Sequence, residues 1–239
     1  MEILYLKSID STNNFLHKNQ SNLSNLNAVT SEVQTDGKGR CQRKWQSLTG
    51  NYFFSILIKI EIDLSKLFLL NFLAPLAAVN YLKQFNSNFS LKFPNDLLLN
   101  NQKMGGILVE TSINNCNMEY CIAGFGLNIF NAPELLQENK TATFMKKHGE
   151  FPTKIKCITG IQYEISKLLN HINNHETILN NYNSYLNNSI IYSFKLPDET
   201  IINSRISGVD SDGNVLLIKN NLTEVLPAGS TYISESETI

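Results

Sequence analysis

Apolar residues dominate the short stretch 2–9, "EILYLKSI", which reads as a first strand. "DSTN" follows, and "NFLHKN" opens a short helix. Ser11 or Thr12 is its expected N-cap, because a side-chain oxygen there can accept from an orphan amide. Residues 27–34, "NAVTSEVQ", read as a second strand. The clearest strand is 51–62, "NYFFSILIKIEI", β-branched and aromatic with Ser55, Lys59 and Glu61 on alternate positions. Residues 66–86 are mostly apolar and predict a buried helix that Pro75 bends or breaks. Residues 92–110, "KFPNDLLLNNQKMGGILVE", carry the rhythm of two strands joined at "NNQ". "MEYCIAGFGLNIF", 118–130, is another strand, and 132–157 read as loop with one short helix. From Thr159 to about Leu186, Ile161, Ile165, Leu168, Leu169 and Ile172 recur at helical spacing and predict one amphipathic helix.

Beyond residue 189 the pattern changes. "IIYSFKL", "TIINSRISGV", "NVLLI" and "TEVL" are short strand-like pieces, with Asp212-Gly213 as a tight turn. The expected class is therefore α+β. Residues 1–188 would form a mixed β-sheet with helices packed against it, and 189–239 a small β-barrel. No flexible linker separates the two units, so they are expected to pack together.

Composition sharpens this picture by exclusion. With 239 residues and 42% hydrophobic content, the chain can bury one sizeable core. Twenty Lys+Arg against 21 Asp+Glu leave a net charge of −1, so no surplus positive charge is offered to a nucleic-acid backbone or an anionic membrane. Cys41, Cys116, Cys121 and Cys157 match no zinc spacing and read as free thiols of a reducing, cytoplasmic setting. No signal peptide opens the sequence. The most apolar stretch, 67–82, is shorter than a membrane span and contains Asn71 and Asn80.

Three places carry candidate chemistry. The loop "GKGRCQRKW" packs Lys38, Arg40, Arg43 and Lys44 beside Gly37 and Gly39, and ends on Trp45, the only tryptophan. Such a loop can close on a phosphate or carboxylate, or can simply be a solvated basic loop. In 92–110, Pro94 suits a strand end or bulge, and Asp96 is a candidate Mg2+ ligand. Lys103 precedes Gly105 and Gly106, over which a ligand can lie flat. An ordinary hairpin with small residues for packing reads equally well. "GFGLN", 124–128, lacks the third glycine of a dinucleotide fingerprint. His171 and His175, four apart on the expected helix, have no evident third metal ligand and read as solvent-facing.

Together "DSTN", "GKGRCQRKW", "KFPNDLLL", "KMGGILVE" and "GFGLN" resemble, in order and spacing, the motifs of biotin protein ligases. The C-terminal stretch from "SGVDSDGN" onward is similar to that family's SH3-like barrel. The resemblance implies activation of biotin with ATP to biotinoyl-AMP, with release of pyrophosphate. Biotin then passes to one lysine of a biotin carboxyl carrier domain of a carboxylase. It implies Ser11, Thr12, Asn13 and Gln34 for the biotin head group, and Lys38, Gly39 and Arg40 for a loop that closes over the adenylate. Lys103 would reach both the biotin carboxylate and the α-phosphate, as a catalytic residue beside Arg40 and Asp96. Gly105 and Gly106 would leave room for biotin's tail. Trp45 and Asn128 would contact adenine, while Lys92, Asn95 and Asp96 would face the phosphates and Mg2+. Lysine at 38 departs from an arginine common in the family, as does Phe93 from a tryptophan; Cys41 and Gln42 also depart. Because the chain begins shortly before "DSTN", the resemblance implies a form with no DNA-binding domain, monomeric or homodimeric. Lipoate–protein ligase and a catalytically silent biotin-binding module are the competing readings.

Overall fold

The computed structural model describes residues 1–134, 142–219 and 222–236. Of the stretch 132–157, expected as loop with one short helix, residues 135–141 lie outside the described residues.

The chain opens with β1 (Ile3–Ile9), α1 (Thr12–Asn19), β2 (Ala28–Gln34) and β3 (Tyr52–Ile58). Ser11 is the N-cap of α1, its Oγ accepting from the Asn14 amide. β3 ends at Ile58, short of the expected Ile62. It is buried along its whole length because both faces are covered. Tyr52, Phe54, Ile56 and Ile58 pack into the main core, while Leu57 joins Leu16, Val29, Tyr120 and Ile122 under α1.

Helix α2 (Leu69–Leu82) runs through Pro75 without a break, which removes one of the two outcomes expected there. Eleven of its fourteen residues are buried, so it is a core helix rather than an amphipathic one. β4 (Phe89–Lys92), β5 (Asp96–Leu99), β6 (Gln102–Asn114) and β7 (Asn117–Leu127) follow. Residues 92–110 are thus more than two strands. The chain reverses at Phe93-Pro94-Asn95 between β4 and β5, and again at Asn100-Asn101, whose φ values of 50° and 61° make the tight turn.

The expected single helix after Thr159 is two: α3 (Lys154–Asn170) and α4 (His175–Tyr185). His171 is the C-cap of α3 and His175 the first residue of α4, so they are not an i, i+4 pair on one helix. No cluster of three or more potential metal ligands occurs among the described residues.

The first sheet has seven strands in the order β1-β2-β3-β7-β6-β5-β4. Only β1 and β2 are parallel. Then β8 (Ile191–Lys195), β9 (Ile201–Val209), β10 (Val215–Lys219), β11 (Leu222–Val225) and β12 (Thr231–Ser236) form a second, antiparallel sheet. Its order is β11-β10-β9-β8-β12, consistent with an SH3-like barrel but with β11 and β12 left as unjoined edges. Asp212-Gly213 makes its tight turn, with Gly213 at φ 85°. Tyr192, Phe194, Ile206 and Leu217 of this sheet belong to the same apolar core as α2 and β3. No described helix is long and apolar enough to cross a membrane.

Candidate active site

A cavity of about 240 Å³ opens on the face of the first sheet opposite α2. Small-molecule sites run upward from roughly 300 Å³, so this is a small cleft. Glycines shape its floor. A side chain on Gly124 would meet Asn13 Oδ1 at 2.1 Å, and one on Gly126 would meet the Trp45 indole at 2.5 Å. The glycines of "GFGLN" therefore let the protein's own side chains lie flat on the sheet.

One end is lined by neutral polar groups. Ser11, Thr12 and Asn13 come from the turn into α1, and Gln34 from the end of β2. The Thr12 amide and hydroxyl stand 2.9 and 3.0 Å from Gln34 Oε1. Ser55, deep in β3, reaches Thr12 Oγ1 at 2.7 Å and Asn13 Oδ1 at 2.5 Å. The other end is strongly basic. Among the described residues, Lys38, Arg40, Arg43, Lys44, Lys92 and Lys103 line it together with one carboxylate, Asp96. A chain of net charge −1 has thus gathered six cations about one cleft, which favours an anionic ligand.

Lys103 is aimed by a β-bulge. Leu97 pairs with Gly105 and Leu98 with Lys103, so Met104 is the extra residue. In a regular strand, residues 103 and 106 would face opposite sides. The bulge puts Lys103 and Gly106 on the same face, both lining the cavity. Lys103 Nζ lies 2.7 Å from Asp96 Oδ1 and 5.6 Å from the centre of a Trp45 ring, within cation–π range. Lys92 Nζ lies 3.4 Å from Asp96 Oδ2. Arg40 reaches across to Asn95 Oδ1 at 3.5 Å, and Asn95 Nδ2 donates to the Ile107 carbonyl at 2.6 Å.

The basic loop is a small hairpin of its own. Gly39 N donates to Arg43 O at 2.7 Å and Trp45 N to Gly37 O at 2.8 Å. Lys38 Nζ donates to Asn14 Oδ1 at 2.9 Å, tying the loop to α1. Its end lays the Trp45 indole over Gly106 and Gly126, with Nε1 buried and unpartnered.

Most of the expected site residues converge: Ser11, Thr12, Asn13, Gln34, Lys38, Gly39, Arg40, Trp45, Lys92, Asn95, Asp96, Lys103 and Gly106 line one cavity. Three expectations need correction. Gly105 does not line it; its missing side chain is required by Gly126 O and Leu127, each 2.8 Å from where a Cβ would sit. Asn128 is buried behind the wall, with its Oδ1 accepting from Asn51 at 3.4 Å. The space over Gly106 is taken by Trp45 rather than left open. The expected Mg2+ site does not fit this arrangement either. Among the described residues Asp96 is the only carboxylate on the cavity wall, and each of its oxygens faces an ammonium group.

Several contributors lie far away in sequence. Tyr182 of α4 donates to the Pro94 carbonyl at 2.9 Å, and Tyr192 of β8 accepts from the Phe93 amide at 3.1 Å. These two tyrosines hold the 93–95 turn that presents Asn95 and Asp96. Burial raises the Tyr182 hydroxyl well above its ordinary pKa, which keeps it a donor. Phe93 packs between Phe72 and Tyr192, and Tyr232 of β12 completes the wall.

Comparison with known proteins places this cavity in context. The model of the biotin/lipoate A/B protein ligase family matches residues 5–128. The bifunctional ligase/repressor BirA of Bacillus subtilis is 32% identical over 177 residues, 71% of this chain and 51% of that protein. The biotin–[acetyl-CoA-carboxylase] ligase of Paracoccus denitrificans is 31% identical over 132 residues, 54% of this chain and 55% of that protein. The chain thus spans about half the length of these relatives. In fold it is similar to the biotin protein ligase from Aquifex aeolicus in complex with biotin and ATP. The TM-score is 0.75 at 22% identity, over 97% of this chain and 98% of that one.

Proposed function

Because the chain belongs to the biotin/lipoate A/B protein ligase family, we propose that it is an ATP-dependent biotin–protein ligase. The observation that carries this reading is the two-ended cavity. A neutral hydrogen-bonding pocket at Thr12 and Gln34 suits a cyclic urea, and the basic end suits a nucleotide, with Lys103 lining the same wall. The Aquifex aeolicus ligase, similar in fold, carries biotin and ATP.

In this reading the urea ring rests against Ser11, Thr12, Asn13 and Gln34, and the carboxylate tail runs toward Lys103. ATP places its phosphates among Arg40, Lys92, Asn95 and Lys103, with adenine against the exposed face of Trp45. A carboxylate oxygen attacks the α-phosphorus, the bond to the bridging oxygen breaks, and pyrophosphate leaves. Two anions must meet in that step, and Lys103 supplies the fixed cation that lowers their repulsion. Its pairing with Asp96 holds the ammonium in place until a phosphate takes it over. Lys38, Gly39 and Arg40 close over the adenylate. A lysine amine of a carboxylase's biotin carboxyl carrier domain then attacks the acyl carbon, and AMP leaves. We place this chemistry in the cytoplasm, and the division of labour between a catalytic unit, 1–188, and a C-terminal unit, 189–239, belongs to the same reading.

The test is transfer. With biotin, ATP and a carrier domain, the acceptor lysine gains the mass of one biotinoyl group. A gain with lipoate and none with biotin would assign a lipoate ligase. Tight biotin binding without transfer or adenylate would assign a binding module.

A further inference from the structure

Glu110 is not on the cavity wall, yet the neutral end of the cavity is connected to it. Asn13 Nδ2 donates to Glu110 Oε2 at 2.6 Å, and the Asn13 amide lies almost fully buried against Gly124. A carboxylate accepts and does not donate, so it fixes which end of that amide faces it. Asn13 Oδ1 is thereby turned inward to Ser55 Oγ at 2.5 Å. Ser55 Oγ also meets Thr12 Oγ1 at 2.7 Å, and Thr12 Oγ1 meets Gln34 Oε1 at 3.0 Å.

Hydrogen counting then gives the chain a direction. There are three contacts and only two hydroxyl hydrogens. Asn13 Oδ1 has no hydrogen, so Ser55 must donate to it. The Thr12 hydrogen then has two possible acceptors, and we assign it to the shorter contact, 2.7 Å to Ser55 Oγ against 3.0 Å to Gln34 Oε1. Gln34 Oε1 is still satisfied by the Thr12 amide at 2.9 Å. At the cavity this leaves Thr12 Oγ1 as an acceptor and Gln34 Nε2 as a donor. That pair complements an N–H next to a C=O, as in a cyclic urea. A dithiolane ring offers neither.

We propose that Glu110 is a positioning residue that sets the donor–acceptor polarity of this end of the cavity, and with it the selection of a urea-bearing ligand. His17 Nε2 at 3.4 Å holds the carboxylate from the outer side, itself steadied by Tyr120 through Nδ1 at 3.2 Å. The inference rests on the biotin reading above.

The decisive comparison is among Glu110→Gln, Glu110→Ala and Glu110→Lys. Glutamine can still present an oxygen to Asn13. Alanine leaves the amide unheld. Lysine donates, turns the Asn13 amide over and reverses the chain. In biotin-dependent ATP–pyrophosphate exchange, the KM for biotin rises about tenfold in Glu110→Ala and about 100-fold in Glu110→Lys. Glu110→Gln brings it back to within about threefold of the original, while the KM for ATP moves by less than about twofold in all three. Should the lysine variant fail to fold, the alanine–glutamine pair decides. The role is overturned if alanine and glutamine variants share one biotin KM, or if the biotin and ATP KM values rise together. An unaltered protein with no biotin-dependent exchange defeats the biotin reading itself; exchange with unchanged KM in the alanine and lysine variants defeats the role of Glu110 alone.

Discussion

Lys103 Nζ sits 2.7 Å from Asp96 Oδ1, brought there by a bulge that inserts Met104 into β6. The bulge turns an otherwise inward lysine onto the cavity face. Its side chain is about one-third exposed, so it is held by geometry and charge rather than by burial.

Replacing Lys103 by alanine removes the cation between the two reacting anions. The rate of adenylate formation in a single turnover is expected to fall about 10²- to 10³-fold, the scale seen when one preorganised electrostatic group is lost. The melting temperature should change little, because Asp96 keeps Lys92 as a charged partner at 3.4 Å. An unchanged single-turnover rate would remove Lys103 from the chemistry.

The glycine floor separates the two ends of the cavity. Gly124→Ala pushes a methyl into the Asn13 amide, and Gly126→Ala pushes one into the Trp45 indole. The first variant is expected to raise the KM for biotin more than that for ATP, and the second to do the reverse. Trp45 is the only tryptophan, so Gly126→Ala should also shift the intrinsic emission to the red as the indole lifts from the sheet. Identical kinetic profiles for the two variants would contradict this division.

Tyr192→Phe leaves the Phe93 amide without its partner. An unsatisfied, partly buried donor costs about 1–2 kcal/mol, measurable as a lower urea midpoint with an unchanged slope. The same change should weaken ATP more than biotin, since the 93–95 turn carries the nucleotide side. No stability change would mean that the turn is held by packing alone.

The four thiols divide by environment. Cys41 and Cys116 are exposed, while Cys121 and Cys157 are buried. Burial pushes the Cys121 thiol up to about 12 and raises Cys157 as well, so neither forms thiolate at neutral pH. Thiol titration should count two reactive groups in the folded protein and four after denaturation.

What was legible in the sequence follows from how local each signal is. The strands at 3–9, 28–34 and 52–58 show themselves by short runs rich in apolar and β-branched residues, and α1 by its serine cap. The break between α3 and α4 does not, because "HINNH" contains neither glycine nor proline and the apolar spacing continues past it. The reversal at Phe93-Pro94-Asn95 is hidden for a related reason: apolar residues on both sides imitate one continuous strand. In the cavity, the charged loop and Lys103 stand out because charge amid apolar strands is conspicuous. Ser55 and Glu110 do not, because their partner Asn13 lies 42 and 97 residues away along the chain. Gly105 and Asn128 look like ligand contacts in the motif, but strand alternation and packing turn them away from the cavity.

ATP–pyrophosphate exchange with biotin, with lipoate and with neither tests the two-ended cavity most directly. It requires the urea pocket, the basic nucleotide end and Lys103 to act on one pair of substrates. Exchange with biotin alone, lowered about 10²- to 10³-fold by Lys103→Ala, is the predicted result. Exchange supported by lipoate and not by biotin would contradict it.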